Sequence, residues 1–124
     1  MKSILFCAVL LPLPAAASDL FCVPETVCVP GSCDVEITAD YYFRITNPDS
    51  VAPILISHGE SIAMTKILQQ MGRSEWRGFN ILGEYAFVSF DRDRMYFRYS
   101  IGEEPVKYQE QAVRYRSVGS CEEQ

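Results

Sequence analysis

The chain reads as an all-β domain, a small antiparallel meander that closes into a barrel or a two-layer sandwich and is stapled by disulfides. Three observations predict this. Short segments of alternating apolar and polar residues recur between turn-forming residues, and the glycines stand singly at those turns. Cys22, Cys28 and Cys33 cluster early while Cys121 lies at the far end.

Residues 1–17 predict a secretory signal peptide. Met1-Lys2-Ser3 gives a charged head, Ile4 to Leu13 an apolar run broken only by Pro12, and Pro14-Ala15-Ala16-Ala17 the small residues read before a cut near Ala17. The run is shorter than the ~20 residues that span a bilayer, and its prolines would break a helix. Lipidation is not expected, because Cys22 follows Asp19-Leu20-Phe21 and Cys7 sits inside the apolar run, to be lost with it. The expected product is one β domain, residues 18–124, periplasmic or secreted, monomeric and without a membrane span.

Within it, Val35, Ile37, Ala39, Tyr41, Phe43 and Ile45 take the odd positions and mostly polar residues the even ones, which predicts a strand with one buried face. Asn47-Pro48-Asp49-Ser50 predicts a turn, Ile54 to Ser57 a short strand, and His58-Gly59 a reversal. Glu60 to Met71 fits a helical stripe or a strand with a bulge, and the flanking turn signals favour the strand. Tyr85–Phe90 and Met95–Ile101 predict a hairpin across Asp91-Arg92-Asp93-Arg94. A four-residue loop sets Phe90 opposite Met95, Val88 opposite Phe97 and Ala86 opposite Tyr99, leaving Tyr85, Ser89, Tyr96, Arg98 and Ser100 on the other face. A second four-residue connection, Gly102-Glu103-Glu104-Pro105, would place Val106 and Tyr108 beside Ile101 and Tyr99. Val113 to Val118 gives the last strand, and Glu122-Glu123-Gln124 a frayed tail.

Closure removes the aggregation-prone edges of such a sheet. Four cysteines allow three pairings. Cys28 and Cys33 flank Val29-Pro30-Gly31-Ser32, a turn that sets them face to face, which leaves Cys22 to join Cys121 across the ends. A zinc site is not expected from Cys-x5-Cys-x4-Cys with one distant histidine, His58, nor is a thioredoxin-like pair. No metal or cofactor is predicted.

Without residues 1–17 the chain holds ten Lys and Arg against sixteen Asp and Glu, a net charge of −6. That acidity argues against nucleic acid and anionic membrane surfaces as general partners. The second half is mixed, and Arg92, Arg94, Arg98, Arg114 and Arg116 either pair with nearby carboxylates or form an anion-binding face.

No motif carries recognisable chemistry. His58 between Ser57 and Ser61 lies in a turn with no nucleophile elbow, oxidised cysteines offer no thiolate, and the acidic pairs Asp91/Asp93 and Glu103/Glu104 fall where turns want such residues. Trp76 between Arg73 and Arg77 either packs in the core or anchors a sugar or partner protein.

The Cys22…Cys28…Cys33 cluster behind a signal peptide, the meander, and the closing Tyr115-Arg116-Ser117-Val118-Gly119-Ser120-Cys121 resemble uncharacterised small exported cysteine-containing β-proteins of Gram-negative bacteria. The architecture is also loosely similar to periplasmic inhibitors of c-type lysozyme. Their Ser-Gly-x-x-Tyr loop has no match, since Gly72-Arg73-Ser74 and Val118-Gly119-Ser120 are out of order, and no inhibitory residue carries over. The expectation is a non-catalytic binding or inhibitor-like module for an envelope protein or small ligand, using loops or a lumen, with Trp76, Arg73 and Arg77 as anchor. The alternatives are an envelope hydrolase using turn carboxylates and a structural or assembly-associated envelope protein.

Overall fold

A computed structural model describes residues 19–57, 59–106 and 112–124; the segment expected to be a signal peptide, His58 and Tyr108 lie outside the described residues. Eight strands follow in chain order: β1 Leu20–Cys28, β2 Phe43–Thr46, β3 Ile54–Ser57, β4 Glu60–Gln70, β5 Arg73–Phe79, β6 Tyr85–Asp91, β7 Tyr96–Gly102 and β8 Val113–Glu123. Each pairs antiparallel with the next, and β8 pairs back onto β1, closing a barrel. Asp19, Gln124 and the β2–β3, β4–β5 and β6–β7 turns lie at one end, called the bottom. The β1–β2, β3–β4, β5–β6 and β7–β8 connections lie at the top.

The period of two decides what fills the barrel. Leu55, Trp76, Val88, Phe90 and Phe97 point inward and are fully buried, with Phe43 edge-on to Phe97 at 4.8 Å and Trp76 stacked on Phe90 at 6.2 Å. Side chains thus occupy the interior, and a ligand-carrying lumen is not formed there. At the top, Tyr41 stacks on Tyr115, which meets Tyr99 edge-on. At the bottom, Arg92 reaches Asp49 at 2.6 Å, joining turns that stand across the barrel from one another.

Two disulfides fasten the barrel. Cys22 and Cys121 are directly opposite in the β1–β8 ladder and buried, and Cys28 joins Cys33 around the Pro30-Gly31 turn, where Val29 and Ser32 exchange both backbone hydrogen bonds. Pro24 offers the ladder no N–H, and β1 takes a bulge between Pro24 and Thr26. Gly119, opposite Pro24, is required there, because a Cβ would run into the Val23 carbonyl and lie 2.6 Å from the Pro24 Cα. The β4–β5 turn is the pair Met71 and Gly72, with φ of 51° and 81°, a reversal that glycine makes easily.

Several expectations need correcting. The strand expected over residues 35–45 begins only at Phe43. Ahead of it the chain has no pairing neighbour, and Thr38 accepts the Asp40 N–H to start a 3-10 turn at Ala39–Tyr41. Phe43 and Ile45 are buried as the alternation requires, whereas Ala39 is exposed. The β6–β7 register differs by two residues: Phe90 faces Phe97, Val88 faces Tyr99 and Ala86 faces Ile101, because the loop is Arg92–Met95 and the strands run on to Asp91 and Tyr96. An even shift keeps every side chain on its face. Tyr85 does lie on the outer face but is buried, edge-on to Phe79 at 5.7 Å. Val106 is exposed outside any strand, and β8 takes the place beside β7. Glu122 and Glu123 are not frayed; they pair with Phe21 and Leu20, and Gln124 exchanges backbone hydrogen bonds with Asp19. β4 is a strand throughout, with its bulge between Lys66 and Leu68.

Two outcomes follow. Val88→Asp, placing a carboxylate in the filled core, should cost about 3–5 kcal/mol, and Ser89→Asp on the outer wall less than about 1 kcal/mol; similar melting temperatures would contradict the assigned faces. Removing Cys22 and Cys121 together should cost roughly 4–5 kcal/mol against about 2 kcal/mol for Cys28 and Cys33, from the loop lengths each closes. Denaturant melts of the two alanine pairs measure the difference.

Candidate functional site

Strand alternation separates the anchor expected from the sequence. Trp76 points inward at 0% exposure, whereas Arg73 and Arg77, three residues before it and one after, are both an odd number of residues away and project from the outer wall. The indole can therefore neither stack on a sugar nor enter a partner. Arg73 pairs with Glu75 at 2.7 Å near the bottom, and Arg77 stands on the wall with no ion pair among the described residues.

The acidic turn pairs sit at opposite ends. Asp91 Oδ1 accepts the N–H groups of Asp93 and Arg94, which fastens the β6–β7 turn, and the Asp93 carboxylate lies against Gly72. Glu103 and Glu104 are exposed at the top. The four cysteines are engaged in disulfides, so none of them supplies a thiolate nucleophile.

What the top end does build is a rigid loop, Asn80-Ile81-Leu82-Gly83-Glu84, between β5 and β6. All five of its N–H groups are hydrogen-bonded. Asn80 N–H donates to the Glu84 carbonyl and Gly83 N–H to the Asn80 carbonyl. Asn80 Oδ1 accepts from Leu82 and Glu84, and its Nδ2 donates to Glu84 Oε1. The Ile81 N–H donates at 2.8 Å to Glu60 Oε1 at the start of β4. Arg114 on β8 grips the Glu84 carboxylate with two bonds, at 2.6 and 2.8 Å. The loop is thus tied to strands on both sides.

That fixed backbone holds Ile81 and Leu82 out in water, 87% and 78% exposed, above a half-exposed Phe79. Two adjacent large apolar side chains at a rigid tip have no use in the barrel's own core. A hollow of about 490 Å³ bounded by Gly59, Glu60, Phe79 and Ile81 lies on one flank, and one of about 370 Å³ bounded by Glu84, Glu103 and Arg114 on the other. The surroundings are acidic: Asp34, Glu36, Asp40, Glu84, Glu103 and Glu104 belong to the top connections, whose described residues include no Lys or Arg, and Glu60 opens β4 beside them.

Sequence reasoning missed this tip, although Asn80 and Gly83 were turn signals bracketing it. Isoleucine and leucine between two turn formers have no sheet face to serve, and that conflict was the available sign.

The electrostatics of the tip are those of a support. The Arg114 guanidinium and the Asn80 amide hold the Glu84 carboxyl below its ordinary value. Burial pushes the Tyr99 and Tyr115 phenols above theirs, which keeps both neutral beneath the top connections.

The fold and this end define a class, a disulfide-stapled eight-stranded barrel that presents a preorganised apolar loop. Comparison with protein-family models, curated proteins and solved structures finds no match.

A pH dependence follows from Glu84. Its folded value is depressed, so its contribution to stability is complete above the unfolded carboxyl value and is lost as pH falls through the lower folded one. The wild-type melting temperature should therefore fall on acidification below about pH 4.5, and Glu84→Gln should flatten part of that fall. Identical pH profiles would contradict the role given to the Arg114 contact.

Proposed function

We propose that this protein is a non-catalytic, inhibitor-like binding module that inserts Ile81 and Leu82 into an apolar cleft of a cationic extracytoplasmic protein. The observation that carries the reading is the tip itself, two apolar side chains held in water by a loop whose every N–H is satisfied. A loop already in its bound shape loses little conformational freedom on docking, and that saving goes into affinity. The acidic connections around it favour a partner with a positive rim and speed the encounter. Export with removal of residues 1–17 belongs to the same proposal and is supported by the two disulfides.

A c-type lysozyme, a basic envelope-degrading enzyme, is the first probe, within a panel of basic secreted proteins. Burying two such side chains is worth roughly 3–6 kcal/mol. Ile81→Ser with Leu82→Ser should therefore weaken the captured partner at least about 100-fold while leaving the melting temperature unchanged. Titration calorimetry of wild type and variant reads both the affinity and its salt dependence. Binding that survives the double substitution, or turnover of peptidoglycan or ester substrates by the purified domain, would overturn the proposal.

A further inference from the structure

We propose that the outer face of β5, β6 and β7 is a second binding site, independent of the tip, and that it takes an acidic sugar chain. The cross-strand register lays out three rows on that face: Arg73, Asp91 and Tyr96; Glu75, Ser89 and Arg98; Arg77, Phe87 and Ser100. Ser89 and Phe87 are half-buried between taller neighbours, and the rows enclose a hollow of about 480 Å³. Its depth comes from residue size, since a serine stands between Glu75 on one strand and Arg98 on the other.

The charges in the hollow are specific in kind. Arg73 holds Glu75 at 2.7 Å and Arg94 lies 3.9 Å from Asp91, which fixes the two carboxylates. Arg98 has no carboxylate partner among the described residues. An anchored carboxylate accepts hydroxyl groups, an unpaired guanidinium takes a carboxylate through two parallel bonds, and Tyr96 and Phe87 offer apolar surface to the C–H face of a sugar ring. Hydroxyls, a carboxylate and an apolar face together describe a uronic-acid type of sugar. Closely spaced phosphates fit less well, because their higher charge per unit is repelled by Glu75 and Asp91 more strongly than the single carboxylate of a uronate, from whose hydroxyls those two can accept hydrogen bonds.

The face continues beyond the hollow. Ser100 is paired with Arg116 on β8, so Arg77, Phe87, Ser100 and Arg116 form one line across four strands, about 14 Å at the usual interstrand spacing. Arg77 and Arg116 are also without an ion pair among the described residues. Three unpaired guanidiniums along one wall suit a chain that carries a carboxylate on successive units, and they single this wall out on an otherwise acidic domain.

The test titrates the whole domain with a galacturonic acid oligomer, with a neutral galactose oligomer of equal length, and with inorganic phosphate, following backbone amide shifts. The uronate should bind with saturable shifts at Ser89, Arg98 and Ser100, and both other probes should bind at least about tenfold more weakly. Arg98→Gln and Tyr96→Ala, both on the solvated wall, should each weaken the uronate by about tenfold or more. Lys66→Gln removes the same charge from β4 and should change nothing, as should Ile81→Ser with Leu82→Ser, which separates this site from the tip. The proposal is overturned by phosphate binding as well as uronate, by an affinity that Arg98→Gln leaves unchanged, or by no saturable binding up to about 10 mM.

Discussion

Everything else in this molecule depends on the ladder between β1 and β8. An open meander of these strands would leave two long rows of unpaired backbone groups, whereas pairing the first strand with the last closes the ring of ladders. That ladder is also the hardest to form, since Cys22 and Cys121 are 99 residues apart in sequence and loop closure is the cost of bringing them together. A disulfide between directly opposed residues removes much of that cost from the unfolded side. The same contact needs a glycine at 119 and a bulge at Pro24, so sequence, closure and covalent staple meet in one short stretch of wall.

Closure sorts the surface by wall length. The β1–β2, β2–β3 and β3–β4 ladders are short, while those from β4 round to β8 and back to β1 are long. Long walls offer enough outer surface for rows of side chains to make a hollow, and that is where the unpaired arginines stand. The top connections instead carry acids and the apolar tip. The acidic end and the arginine-bearing wall thus lie on different parts of one small domain, with the filled barrel between them.

What the sequence disclosed was mostly local. Faces were legible because a period of two is a property of neighbours: Val88, Phe90, Phe97 and Tyr99 all point inward, and the bulged strand at Glu60–Gln70 and the two disulfides came from turn signals beside them. Register was not, because it depends on where a loop begins; Asp91 joins its strand in the barrel, and the hairpin moves by two. The 3-10 turn at Ala39–Tyr41 was hidden for the converse reason, since alternation continues through residues that find no partner strand. Trp76 was open to two readings from composition alone and has one in a strand, where residues flanking an inward position point outward. The tip residues Ile81 and Leu82 carry no periodic signal, and their exposure follows only from the loop that lifts them off the sheet.

The meeting of the first and last described residues has a practical side. Asp19 and Gln124 are joined by two backbone hydrogen bonds at the bottom of the barrel, and Ile81 and Leu82 stand at the top. With an even number of strands running up and down, Asp19 and Gln124 both lie on the side away from the loop. A tether or fusion partner joined directly ahead of Asp19 or after Gln124 would therefore hold the barrel by its base, as a stalk holds a flower, with the tip facing outward and the arginine wall exposed along the side.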